Sequence, residues 1–302
     1  MNIFSFTAEF GSEEECRLHF KQERDTQGVF CKKCGCNDHY WLKNKWSYQC
    51  KACKFRTSLR SGTIMENSNL SFLIWYRTMF LMSVTKKGFS AKDIQRQLGL
   101  KRYEPVWSMV HKLRKSIAKS GERYTLEGMI EMDEGYFTVA STDIEKSQAK
   151  RGRGAAGEKN VAVMAKSVIL EDIETGKKSS QAGYFKAKVL NTHSSKEIDD
   201  TIESSLDKRT IVFSNKSTSY VDISDYVELH VTEKSSEQTT KDTLKWVRIL
   251  ISNAKITLLC NYHKIKGNYL QLYLNAFVYK VNRRYFGEKL FDRVVIASIN
   301  GV

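Results

Sequence analysis

The hydrophobic pattern changes character near residue 125. Before it, apolar positions recur at helical spacing: Phe10, Cys16 and Phe20 mark a short helix within residues 1–25. Residues 68–120 also read as helical, and the only proline, Pro105, lies inside them. After it, short strand-like runs take over, at 129–139, 161–170, 183–190, 209–213 and 226–231. Helical runs follow the third strand (195–206) and the last strand (241–260), and a final one spans 269–284. No internal repeat is visible. Three strands, a helix, a strand, then a strand and a helix predict a mixed sheet with helices packed on it, an α+β fold. The expected division is 1–67, a helix and a cysteine-rich segment; 68–124, a helical region; and 125–302, the sheet domain.

Within the helical region, FSAKDIQRQLGLKRYEPVWSMVHKLRKSIAK carries punctuation for two helices and a tight turn. Ser90 caps a helix over 91–98, with Asp93 at its third position, and Gly99 ends it. Glu104 and Pro105 open the next helix, where a missing N–H costs nothing. Ile94, Leu98, Val106, Val110 and Leu113 form a buried seam. Gln95, Arg96, Lys101, Arg102 and Tyr103 gather at the turn, with Lys112, Arg114 and Lys115 on the outer helix. This arrangement suits a helix-turn-helix that lays its second helix in the major groove. A plain helical hairpin is the alternative.

Composition sharpens the picture in one respect. Charged residues make up 27% and hydrophobic ones 41%, an ordinary globular balance, but 49 Lys and Arg face 34 Asp and Glu. The formal charge of +15 favours a polyanionic partner, since each neutralised phosphate releases counterions. The basic, glycine-rich segment EKSQAKRGRGAAGEKN reads as a surface loop whose Arg151 and Arg153 contact phosphate. The opening residues lack the basic start and apolar core of a signal peptide. The most apolar stretch, 70–84, is interrupted by Arg77 and too short for a bilayer, so no membrane association is expected. A cytoplasmic, nucleoid-associated location follows.

Seven cysteines in a chain of this kind suggest reduced thiols and a metal rather than disulfides. Cys31-Lys-Lys-Cys34 and Cys50-Lys-Ala-Cys53 are two CxxC pairs, and the fifteen residues between them hold a strand-like HYWLKNKWSYQ. Each pair fits one knuckle of a tetrahedral Zn²⁺ site, and the spacer can form a hairpin joining them. Four free buried thiols are the alternative. Lys32, Lys33, Lys43, Lys45, Lys51, Lys54 and Arg56, with Trp41, Trp46 and Tyr48 between them, suit backbone contact and stacking on nucleic acid. Such ribbons also serve as protein-docking modules, so a scaffold role is a rival reading.

Taken in order, the ribbon, SAKDIQRQLGLKRYEPVWSMVHKLR, EMDEGYF, FSNKSTSY, LKWVRILISNAK and YLQLYLNAFVYKVNRRYFGEKLFDR resemble the ISXO-type insertion-sequence transposases. The resemblance runs from about Phe20 to Ala297. It implies an RNase H-like domain of the DDE class that cuts and joins element ends using Mg²⁺ or Mn²⁺. Two such metals clamp the attacking and leaving oxygens, held by carboxylates from separate elements. It further implies double-stranded DNA as partner and a homo-oligomer bridging two element ends. Arg283 and Arg284 join the candidate DNA contacts.

Carried over residue by residue, the first family position is Asp133, a ligand for the divalent ion. The second, an aspartate in the family, is Asn215 here. The third precedes a helical lysine by seven residues; that lysine is Lys255, so the position falls on Arg248, where the family has Glu, Asn or His. A different register would offer Asn253, Glu237 or Asp222 instead. The resulting expectation is a transposase-derived DNA-binding protein with impaired strand cleavage and transfer, the alternative being an active transposase.

Overall fold

The computed structural model describes residues 1–85, 88–122, 124–140, 157–171, 176, 178–192, 194–216, 220, 222–233, 243–262 and 265–300. The chain forms two compact units. The first comprises Met1–Ser120 with Arg283–Val302, and the second comprises Gly121–Asn282.

The first unit opens with two helices where one was expected, α1 (Ile3–Glu9) and α2 (Glu13–Gln27). Ser12 separates them by starting α2 with a complete capping box: its side chain accepts from the Glu15 N–H while Glu15 reaches back. A three-stranded antiparallel ribbon follows, β1 (His39–Leu42), β2 (Ser47–Cys50) and β3 (Arg56–Ser58). Arg24 of α2 is buried and donates to the carbonyls of Ser58, Leu59 and Ser61, tying the ribbon's exit to the helix. Tyr48 of β2 adds a hydroxyl bond of 2.7 Å to Asp25.

The expected helical region resolves into α3 (Phe72–Val84), α4 (Ala91–Gln97) and α5 (Glu104–Glu122). The Ser90–Asp93 capping box of α4 is present, and Gly99 turns the chain at φ +62°. Gln95 is buried in that turn, donating to the carbonyls of Leu100 and Lys101 at 2.9 and 3.1 Å. The last helix, α9 (Leu290–Asn300), was not anticipated and belongs to this first unit, so the sheet domain ends before it. Phe291 packs with Phe6, Phe10 and Tyr76 in one aromatic cluster, and Ile64 donates its N–H to the Ser298 carbonyl. Among the described residues no helix is long and apolar enough to cross a membrane.

The second unit carries all five expected strands: β4 (Leu126–Thr138), β5 (Glu158–Glu171), β6 (Lys178–Leu190), β7 (Leu206–Asn215) and β8 (Leu229–Glu233). The last starts at Leu229 rather than 226, because Ile223–Asp225 winds into a short 3₁₀ turn first. Sheet order is β6-β5-β4-β7-β8, with the first two pairings antiparallel and the last two parallel. Helix α6 (Ser195–Ser205) covers one face, its Ile198 and Ile202 meeting Ile130, Met132, Met164 and Val212. On the opposite face α7 (Lys245–Asn261) and α8 (Leu270–Asn282) bury Val163, Ala165 and Phe185 under Val247, Ile251 and Leu274. Alternation along β4 therefore sends Ile130 and Met132 to α6, and Glu131, Asp133, Gly135 and Phe137 to α7.

Candidate active site and metal centre

β4 and β7 are parallel neighbours in register, with Met132 opposite Ser214, so Asp133 and Asn215 emerge side by side at the same strand ends. Asn215 Nδ2 donates to Asp133 Oδ1 at 3.0 Å, and the Glu134 backbone N–H donates to the same oxygen at 2.9 Å. Arg248, on α7, brings Nε to 3.5 Å from Asp133 Oδ2; the two side chains are 31% and 12% exposed. Two residues predicted from distant motifs, Asn215 and Arg248, thus converge on the Asp133 carboxylate. Lys255 does not join them. It lies two turns further along α7, about 10 Å by helical rise, where its ammonium sits 5.8 Å from the Phe137 ring.

The helix is laid along the strand by three contacts. At the first, the buried Glu131 carboxylate accepts from the backbone N–H groups of Trp246 and Val247 at 2.7 and 3.0 Å. At the second, Asp133 meets Arg248. At the third, Gly135 leaves room for Ile251, whose Cγ2 would stand 3.1 Å from a β-carbon there. Burial pushes Glu131 above the usual carboxylate range, against the lowering effect of those two N–H groups. Sequence reasoning missed Glu131. Its signal was the period-two spacing from Asp133, together with an apolar Leu244 where α7 needs a cap.

Glu134 points the other way. Its carboxylate accepts from the Asn160 side-chain amide on β5. Burial raises the Tyr220 hydroxyl well above the ordinary tyrosine range, and the charges of Glu134 and then Asp133 add to the effect. Of the other ligands considered, Asn253 is exposed on α7, Asp222 is exposed and exerts its charge on Asp199, and Glu237 lies outside the described residues.

In the first unit, Cys31, Cys34, Cys50 and Cys53 bring their Sγ atoms within 4.8 Å of one another. The Cys31–Cys53 and Cys34–Cys50 sulfurs are 3.5 Å apart, too long for disulfides. A tetrahedral Zn²⁺ with bonds near 2.3 Å would hold its sulfurs roughly 3.8 Å apart, so the quartet fits that ion. Both pairs sit on matching knuckles: Gly35 N–H bonds the Cys31 carbonyl and Lys54 N–H the Cys50 carbonyl, at 2.9 and 3.1 Å. Gly35 and Lys54 are both left-handed, at φ +73° and +61°. The Cys53 backbone N–H helps lower the Cys50 thiol to about 6, while the neighbouring thiols of Cys53 and Cys50 push Cys34 up to about 12. Among the described residues this is the one group of three or more Cys, His, Asp or Glu that converges in this way.

Some predicted DNA contacts are placed differently. Lys101, Arg102, Tyr103 and Lys115 are exposed around the α4–α5 turn and on α5. Lys112 is half-buried and donates to the Glu66 carbonyl at 2.9 Å. Arg114 is 2% exposed, because it follows Val110 by four residues and so shares the buried face of α5. Arg283 is 8% exposed, its guanidinium 3.4 Å from Ser120 Oγ, whereas Arg284 is exposed. Arg151 and Arg153 lie outside the described residues. Trp41, Trp46 and Tyr48 are turned towards α2, where Lys21 and Arg17 stack on the two indoles. Tyr40, 54% exposed with Lys51 and Lys54 near its ring, and Phe55, 41% exposed, are the rings the ribbon's hairpins turn to solvent.

A mixed sheet in this strand order, covered by helices on both faces and carrying a buried aspartate where the parallel strands end, fits an RNase H-like transposase domain. Residues 125–282, more than half of the chain, match the family model described as the ISXO2-like transposase domain, and the chain belongs to that family. It is also similar to an uncharacterized protein in transposable element ISH50 of Halobacterium salinarum, 24% identical over 148 residues. That alignment takes in 48% of this chain and 49% of the relative, so the chain spans about half of that protein's length.

Proposed function

We propose that this chain is a transposase-derived DNA-binding protein whose strand cleavage and transfer are impaired. The observation that carries the reading is the engagement of Asp133 by Asn215 and Arg248. An aspartate at position 215 would set two carboxylates about 3 Å apart, an arrangement that calls for a cation between them. The asparagine amide instead donates a hydrogen bond, and the guanidinium supplies the positive charge on the other oxygen. Asp133 and Arg248 cancel formally in charge without Mg²⁺ or Mn²⁺, though the buried Asn215 Oδ1 has no hydrogen-bond partner among the described residues, and arginine offers no lone pair to a metal.

Membership of a transposase family, the +15 charge and the exposed Lys101, Arg102, Tyr103, Lys115 and Arg284 support double-stranded DNA as the partner. Element ends are the expected sites, and a homo-oligomer the expected form on DNA. The family and the ISH50 relative both point to mobile-element DNA. One structural Zn²⁺ on Cys31, Cys34, Cys50 and Cys53 would order the ribbon, and the protein would act in the cytoplasm on the nucleoid.

Two assays test this. Gel-shift titration across salt should give a steep slope in log Kd, as phosphate contacts require; a flat slope excludes DNA binding of this kind. A cleavage and joining assay with Mn²⁺ should show little product for the native chain, and more for Asn215→Asp with Arg248→His. Robust nicking by the native chain that Asp133→Ala abolishes would establish an active transposase.

A further inference from the structure

Helix α7 begins without a local cap. Leu244 stands at its N-cap position, and no side chain there bonds the first turn. The N–H groups of Trp246 and Val247 have no intrahelical acceptor, since the first such bond runs from Arg248 N–H to the Leu244 carbonyl. Both orphan groups converge on Oε2 of Glu131, a residue 115 positions earlier and on another element. Ser167 of β5 and the charge of Lys245 also favour its ionised form. It is buried in the sheet, so its own position is fixed by β4 and β5.

Geometry then propagates from this bond. Glu131 and Asp133 are two residues apart on one strand face, roughly 6.7 Å by strand rise. Val247 and Arg248 are consecutive on α7. Fixing the helix backbone over Glu131 therefore fixes where Arg248 reaches Asp133. Among the described residues the first turn makes one other directional contact, Trp246 Nε1 donating to Ser180 Oγ of β6 at 3.2 Å, and the contact of Ile251 over Gly135 is apolar.

We propose that Glu131 is the positioning residue of the Asp133 centre, clamping the first turn of α7 so that residue 248 is presented to the Asp133 carboxylate. This deepens the reading of that centre given above, yet its test uses no DNA, so either can fail alone.

The test is made on the full chain by NMR. In the native protein the Trp246 and Val247 amides should exchange at least about 100-fold more slowly than unprotected amides, unlike ordinary first-turn groups. The Arg248 Nε–H resonance should move on Asp133→Asn. Glu131→Leu should remove protection at those two amides and abolish the response of Arg248 to Asp133→Asn. Glu131→Gln keeps a carbonyl oxygen in place and should preserve both. Fast exchange of Trp246 and Val247 in the native protein overturns the proposal. So does a native-like Arg248 response in Glu131→Leu, which would make the clamp merely structural, or a lost response in Glu131→Gln with both amides still protected. Should Glu131→Leu fail to fold, Glu131→Asp, which withdraws the carboxylate by one methylene, is read by the same criteria.

Discussion

Exchanging Asn215 and Arg248 for Asp and His should convert the centre from one that repels a divalent ion into one that holds it. With Nε 3.5 Å from Asp133 Oδ2, a metal bonded to that oxygen would stand about 4 Å from the guanidinium. A dication and a unit charge at about 4 Å repel by roughly 8 kcal/mol at an effective dielectric of 20, an upper limit before relaxation and screening. Arg248 is partly exposed and can swing away, so a tenth to a half of that is a realistic penalty. The paired exchange removes it and adds a carboxylate, and should tighten Mn²⁺ binding by at least about 100-fold, a change of 2.7 kcal/mol. Thermal denaturation across a Mn²⁺ titration reads this directly, because a ligand at 100 times its Kd stabilises the folded state by about 2.7 kcal/mol. The native chain should show no Mn²⁺-dependent shift in the melting of the sheet unit, and the double variant a clear one that Asp133→Ala removes. Equal shifts in both proteins would refute the reasoning.

Three further outcomes are expected. Cys31→Ser should lower bound zinc from about one per chain to none and expose ribbon amides to exchange, while strands β4–β7 keep their protection. Lys54→Gly should stabilise the ribbon by about 1 kcal/mol in denaturant titrations, since Lys54 is left-handed where Gly35 occupies the matching knuckle; no gain would mean its stacking over Tyr40 outweighs the strain. Because burial raises Glu131, its favourable contribution is complete below the unfolded value near 4.5 and is lost as pH climbs through the higher folded value. Glu131→Gln should therefore flatten the fall in stability over that window, and an unchanged pH profile of unfolding would contradict it.

Much of the fold was legible because each unit obeys a local rule. Two CxxC pairs flank a hairpin that brings four sulfurs within 4.8 Å, Ser90 and Gly99 bracket α4, and the five apolar runs after residue 125 form strands. Legibility failed where tertiary partners decided the outcome. Arg114 reads as a surface cation, but helical spacing from Val110 puts it inside. Trp41 and Trp46 read as stacking surfaces, but α2 presents Lys21 and Arg17 to them first. The helix at Leu290–Asn300 follows an irregular stretch and completes a core begun by Phe6 and Phe10, which no local pattern announces. At the centre, the family resemblance proposed Asp133, Asn215 and Arg248, which the structure places side by side, whereas the contact of Glu131 with α7 became visible only with the sheet.

The three acidic residues of EMDE divide the labour of that centre. Glu131 holds the helix, Asp133 receives what the helix and β7 present, and Glu134 binds Asn160 on the far face. If the site had lost its constraints along with its metal ligands, there would be no reason for these supports to fit together. Instead Gly135 still makes room for Ile251, and residue 248 still reaches the carboxylate. On the function proposed above, residue 248 would bring a charge that neutralises Asp133 rather than one that helps gather a dication. A guanidinium partly exposed at the end of parallel strands, in a strongly basic protein, is suited to a phosphate oxygen. On this reading the framework has been kept and its electrostatics inverted, so DNA would be held where the family would cut it.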